Sequence, residues 1–499
     1  MKKKVLSAAL LLLSALAVTG CGNQDSGNNG GDNGGNNGGT VNDDSALVDE
    51  NGVLKEKTTI YLWTTAGDQG QALLNEWVEE FKEVQPNITV TNVKQTGGYD
   101  DLQNMIVTGF NGNNYPDLAY CYPDHVADYI DYGKAVKLDS YIENEVFGWS
   151  DEDINDFVPA YLEEGRQYTV EGTYSLPFSK STEAMFYNED ILIGLDLSSI
   201  DSTINGGNRL NAEYLENLTW EELFGKLAPA LLKYDQTVQD IIKPCDDGKT
   251  RVFGYDSDDN LFITLAHQYG YPYTSIENGV GSIDFNTKEM KDKLLEFKDA
   301  YEKNYFITKG SNQDKYVNEL FTANQLLFSV GSTGGIKYQY DEKNQMNVGV
   351  GKIPQAENGT PSTIMQGPSM CVLDHNDANR RLASWLFYKF ITEPSRTLSW
   401  SLDSTGYYPI RKSNLEDEFY LEASDFENAQ DKSIERLQAK GNAYYSTMDE
   451  TLFTSPVFKG SSAARVQVGG LFTSTLLGGA NFDIDAAFTK AVDLCKLEL

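Results

Sequence analysis

Trp63 and Asp68 are the first residues from which chemistry can be read. They bracket the turn that follows an apolar, β-branched run at 58–63, and Thr64 and Thr65 lie between them. An open α/β sheet binds ligands beyond the carboxyl ends of its strands. At such a place an indole packs on the C–H face of a sugar, and a carboxylate accepts from two vicinal hydroxyls. Both residue kinds abound, with 29 Tyr, 23 Phe and 6 Trp beside 74 Asp and Glu. Catalytic spacing is scarcer. His125, His267 and His375 stand alone, without HExxH or ligand spacing, so no metal or cofactor is expected. There is no GxSxG elbow and no GKS/T phosphate loop. A glycoside hydrolase needs two carboxylates across the scissile bond, and 74 acidic residues leave such a pair open. The string DSDDN at 256–260 echoes a calcium loop, but Leu261 stands where the sharp turn needs Gly and no Glu closes it. It reads as a solvated turn.

The N-terminus says where such chemistry would take place. Lys2, Lys3 and Lys4 precede a short apolar stretch at 5–18, and small residues lead to Cys21. This is the form of an export signal at 1–20, too short to span a bilayer. The string LAVTGC at 16–21 resembles the bacterial lipobox, which implies a lipid on Cys21. Residues 22–39 are almost all Asn, Gly and Asp and cannot bury apolar surface against their ordering entropy. Residues 21–56 are therefore read as lipidated cysteine and tether, with the folded part after about residue 55. The formal charge is −34, and losing the three lysines with the signal takes it to −37. Such a field repels nucleic acid and anionic lipid, so no nucleic-acid partner is expected and membrane contact runs through the lipid alone. Cys121, Cys245, Cys371 and Cys495 form no CxxC. They read as buried free thiols, although four cysteines permit three pairings.

Periodicity supplies the framework. Strands are expected at 58–63, 88–93 and 117–121, alternating with helices at 69–84 and 99–110. The first helix carries Leu73, Leu74, Trp77, Val78 and Phe81 on one face and stops at Pro86; the second carries Leu102, Met105 and Ile106. Strand–helix alternation of this kind makes a parallel α/β sheet. Further helices are expected at 220–232, with Thr219 and Glu222 spaced as a capping box, at 288–301 with Met290, Leu294, Leu295 and Phe297, and at 377–391 with Leu382, Trp385, Leu386 and Phe390. Trp77, Trp220 and Trp385 are assigned to core. No repeat and no second apolar stretch long enough for a membrane span is present.

Several strings, in order, carry a family resemblance: IYLWT at 60–64, PDL at 116–118, DYIDYGKAVKLD at 128–139, SLPFSKST at 175–182 leading to MFYNED at 185–190, TWEEL at 219–223, LFSVGS at 327–332 and GYYPIR at 406–411. Together, over roughly 57–470, they resemble the extracellular solute-binding proteins of ABC importers, the family of the maltose-binding and glycerol-3-phosphate-binding proteins. The resemblance implies a two-lobed α/β fold of the periplasmic-binding-protein type II, with lobes discontinuous in sequence. The N-terminal lobe would take 57–178 and 367–412, and the C-terminal lobe 183–362 and 415–499. Crossing strands near 175–182 and 364–372 would form a hinge, and closure about a ligand is the motion that follows.

Matching the glycerol-3-phosphate branch implies a ligand set of Tyr99, Asp124, Ser181, Ser332, Gly367, Tyr407 and Arg465, joining Trp63 and Asp68. Tyr99, Tyr407 and Trp63 would stack on a sugar face, Asp68 and Asp124 would accept hydroxyls, and Arg465 would fork onto a phosphate or a hydroxyl pair. That branch's central cleft tryptophan is missing, and AHQYG at 266–270 offers His267 or Gln268 instead. The resemblance thus implies a binder, not an enzyme: a monomeric lipoprotein on the outer face of the cell membrane that delivers a carbohydrate to permease subunits. A glycerol-3-phosphate or glycerophosphodiester ligand, a secreted glycoside hydrolase and a receptor feeding a sensor kinase are the alternatives.

Overall fold

A computed structural model describes residues 44–233, 242–404, 406–447 and 451–499. The export signal, Cys21 and residues 22–39 lie outside the described residues. Residues 44–54, placed in the tether by composition, belong to the fold. Val48 and Leu54 are buried, Tyr141 Oη donates to Asp44 at 2.7 Å and the Leu54 amide donates to Gln85 Oε1 at 3.0 Å.

The strands are β1 (Thr58–Thr64), β2 (Ile88–Lys94), β3 (Leu118–Cys121), β4 (Leu176–Pro177), β5 (Ser181–Asn188), β6 (Phe253–Tyr255) and β7 (Thr274–Glu277). They continue with β8 (Val280–Ile283), β9 (Phe306–Thr308), β10 (Phe328–Ser332), β11 (Val348–Gly351), β12 (Thr363–Gln366), β13 (Ser369–Val372) and β14 (Leu452–Phe453). One sheet has the order β2-β1-β3-β13-β4, and the other runs β14-β12-β5-β10-β6-β9 with β11 also on β5. In the first sheet β1 is parallel to β2 and β3, while β13 is antiparallel to β3 and β4. The parallel pairs need helical crossovers, and the helices Asp68–Val84 and Tyr99–Phe110 supply them. The strand expected from 117 begins at Leu118; the buried Asp117 carboxylate accepts from the Tyr61 amide and from Nε and Nη2 of Arg380.

Each sheet has its own core. Trp77 and Trp385 are buried in the first and Trp220 in the second. The Thr219 hydroxyl caps its helix by accepting from the Glu222 amide, but the Glu222 carboxylate lies 3.8 Å from Lys226, with no return bond. The helix expected at 220–232 contains a π-helical stretch at Leu223–Leu227. Leu295, assigned to an apolar face, is 41% exposed; Met290, Leu294 and Phe297 carry that face. All four described cysteines are buried and unbridged.

The chain passes from the first sheet to the second between Pro177 and Ser181, and back between Gln366 and Ser369. The two passages touch. Gln366 pairs with Ser181, and a Cβ at Gly367 would stand 1.9 Å from Ser179 O. Gly367 has φ +87°, so glycine is required on both counts. Beneath them Lys180, fully buried, donates to the Glu164 carboxylate and to Gly367 O, and Glu164 also accepts from Ser369. Tyr408 adds a backbone bond to Lys180 O at 2.7 Å.

Candidate functional site

Between the two sheets lies a cleft of about 1340 Å³, above the usual range for a small-molecule site. The turn after β1 contributes Thr65, the start of the helix Tyr99–Phe110 contributes Tyr99 and Asp100, and the end of β3 leads to Tyr122. The second half contributes Ser181 and Glu183 from β5, Ser332 from β10, residues 256–260, and Arg465 from the helix Ser461–Leu477. Gly367 and Tyr407 close the cleft at the crossing strands.

The sequence-derived set comes together in part. Tyr99 and Tyr407 meet hydroxyl to hydroxyl at 3.3 Å. Tyr99 also sets its ring edge-on to Tyr122, and Tyr407 lies flat along Trp400 at 6.5 Å between centroids. Burial raises the pKa of both phenols, so both stay neutral donors. Ser332 Oγ donates to Ser181 Oγ at 3.3 Å. Arg465 bridges the halves: Nη1 donates to Asp259 Oδ2 at 2.9 Å, and Nε stands 3.6 Å from Asp124 Oδ2. Asp124 lines a recess continuous with the cleft through Tyr99, Tyr122 and Arg465.

Trp63 and Asp68 stand apart. Along β1 the buried positions are Thr58, Ile60, Leu62 and Thr64, so Trp63 falls on the other face. It lines a shallow groove with Asn104, Met105 and Thr108. Asp68 begins its helix in solvent, paired with Lys94 at 2.7 Å, and that pairing lowers its pKa. His267 and Gln268 are structural. His267 stacks on Phe453, and Gln268 accepts from Trp220 Nε1 and donates to two backbone carbonyls.

The stretch 256–260 is not a solvated turn. Asp258 is buried and accepts from Thr308, the Gly310 amide and Thr473. Asp259 holds Arg465, and Asn260 Nδ2 donates to Glu183. Asp256 accepts from the Val317 amide at 2.6 Å, and burial raises its pKa to about 7. Among the described residues no cluster of His, Cys, Asp and Glu is arranged to hold a metal ion.

Glu183 was missed by sequence reasoning. It is 1% exposed and accepts from Tyr255, Asn260 and Gln366, all neutral donors, and burial raises its pKa to about 8. A glutamate inside β5, where every position is buried, was the available signal. Tyr316 and Tyr338, 54% and 61% exposed on the cleft wall, were missed as well.

No match to the sequence is found among curated proteins. Solved structures share the fold. The glycerophosphocholine-bound UgpB of Mycobacterium tuberculosis superposes with a TM-score of 0.64 at 16% identity, over 88% of this chain and 98% of that one. The GacH receptor of Streptomyces glaucescens, solved unliganded and with acarbose, gives 0.63 at 17% identity over 88% and 98%. Maltose-bound MalE3 of T. maritima gives 0.63 at 15% identity over 89% and 100%. Residues 76–430 match the sequence profile of the bacterial extracellular solute-binding proteins. With a matching two-sheet fold around one cleft, this chain belongs to that family.

Proposed function

We propose that this chain is the receptor of an ABC importer and captures a carbohydrate or sugar-like polyol in the cleft between its halves. Lipid on Cys21 anchors it to the outer face of the cell membrane. The lobes 57–178 with 367–412 and 183–362 with 415–499 close about the ligand, and a monomer delivers it to permease subunits without turning it over. The observation that carries the reading is the cleft itself, walled by Tyr99, Tyr122, Tyr316, Tyr338 and Tyr407 and floored by acceptor carboxylates. Phenol faces and carboxylates together suit a ring with C–H faces and hydroxyl rims. The maltose and acarbose named for two of the related structures are of compatible size and polarity.

A phosphate-bearing ligand fits less well. Asp100, Glu183, Asp256, Asp258, Asp259, Asp314 and Glu319 face Lys309 and Arg465 alone, and Arg465 is already held by Asp259 and Asn260.

A thermal-shift screen of mono-, di- and oligosaccharides with glycerophosphates tests the ligand class, because a ligand that binds only the folded state raises Tm. No shift from any sugar would refute it. Cys21→Ala should release the receptor from membranes with ligand affinity unchanged; a membrane-bound variant would refute the anchor.

A further inference from the structure

The carboxylates of the cleft are unequally served. Asp258 has three donors, Asp259 has Arg465, Asp314 has Lys309 at 3.0 Å, and Asp100 has His125 at 3.5 Å. Asp256 is different. Its Oδ1 accepts from Val317, and its Oδ2 has no hydrogen-bond partner among the described residues. Beside it lies Gln339, 2% exposed on the cleft wall, with Oε1 buried and unpartnered.

The two side chains converge over Gly331. The point where a Gly331 Cβ would stand is 3.0 Å from Asp256 Oδ2 and 2.9 Å from Gln339 Nε2. Any side chain at 331 would push them apart. A buried acceptor without a donor destabilises the fold unless something fills it. Here a carboxylate oxygen lacks a donor at the floor of a cleft that opens outward, and the Gln339 amide turns its nitrogen toward the same point while its oxygen lies buried without a partner.

A ligand hydroxyl brings one donor and no charge, whereas an ammonium brings three donors and the charge that Asp256 lacks. The nearby cation does not meet that need, since Lys309 is paired with Asp314 and lies over the Tyr316 ring at 4.7 Å. Tyr338 likewise carries Lys337 at 5.3 Å, so the rings on this wall already accept cations on their faces.

Resting on the carbohydrate-receptor reading, we propose that the cleft selects sugars bearing a protonated amine, with the ammonium on Asp256 Oδ2 and on the Gln339 amide, which turns over to present its oxygen. The raised pKa of Asp256 agrees, because a buried carboxylate without a cation holds its proton, and an arriving ammonium would release it.

Calorimetric titration of the mature chain with matched sugars tests this. The pairs are glucosamine with glucose, galactosamine with galactose, and the glucosamine β-1,4 dimer and trimer with cellobiose and cellotriose, with N-acetylated forms as neutral controls. In at least one set the amine should bind about tenfold tighter than both neutral forms. Asp256→Asn should erase that preference, bringing the amine and neutral forms to within about threefold of each other. Gln339→Leu should weaken the amine form more than the neutral one, and gives a second reading should Asp256→Asn fail to fold. Neutral sugars that bind as tightly as their amine partners in every set would overturn the amine proposal and leave the receptor reading standing. Silence from every sugar, amine and neutral alike, would overturn both. An amine preference that survives Asp256→Asn would overturn the assignment to Asp256.

Discussion

Replacing Glu183 by Gln should make the protein more stable in alkali and change little in acid. Glu183 is fully enclosed and has neutral donors only, and burial lifts its pKa from 4.5 to about 8. The nearest charges oppose each other, with Asp259 raising the value and Arg465 lowering it. Between pH 4.5 and about 8 the folded protein keeps a proton that the unfolded chain has released. The native state then binds more protons than the unfolded one, so stability falls as pH rises through this window. Each pH step removes ~1.4 kcal/mol, and the whole window about 5 kcal/mol. Glutamine resembles the protonated acid. Its oxygen can accept from Asn260 and Gln366, and the Tyr255 hydroxyl can turn to accept from its amide. The two proteins should therefore melt together near pH 5. The entropy of unfolding for a chain of this length is ~1 kcal/mol per kelvin, so near pH 9 Glu183→Gln should melt about 5 °C higher. Thermal melts across that range at fixed ionic strength provide the assay, and the titration of Asp256 cancels in the difference. Parallel curves would show that Glu183 ionises like a solvated acid and would refute the reasoning.

Gly367→Ala should lower stability by about 2 kcal/mol or more, since a positive φ and a contact with a backbone carbonyl leave nothing free to yield; an unchanged urea midpoint would refute it. Lys180→Met strands Glu164 as a buried charge and should cost ~3–5 kcal/mol, measured by urea unfolding, with part recovered in the Glu164→Leu double variant. Tyr407→Ala should weaken ligand binding about tenfold or more, while Trp63→Ala, in the groove beside the cleft, should leave affinity unchanged. Titration calorimetry with the ligand found by screening separates the two, and equal losses would put Trp63 back at the site.

Local pattern made much of the first half legible. The helix expected at 99–110 is Tyr99–Phe110, and the strand expected at 58–63 differs from Thr58–Thr64 by one residue. Apolar spacing sets both, and neighbours in sequence are enough to read it. The site was legible only where a motif singled it out, as at Tyr407 and Gly367. Residues 256–260 look like a turn because their burial comes from afar, from Thr308, Gly310, Thr473 and Arg465. Glu183 likewise meets Tyr255 and Gln366, partners 72 and 183 residues away. Trp63 falls one strand step short of the cleft. The cleft lies beyond the end of β1, and it is Thr65, two residues on, that reaches it.

The crossing strands have a mechanical consequence. Gly367 is wedged against Ser179, and Lys180 ties its carbonyl to Glu164, so the two passages cannot slide past each other. The proposed closure of the lobes would then run along one angular coordinate. A pair of dyes on opposite rims would then report occupancy as a single scalar signal, whichever ligand is bound. Recognition could be rewritten at Asp256, Gln339 and the tyrosine wall while the transducer stays as it is, which suits this scaffold to a reagentless optical sensor.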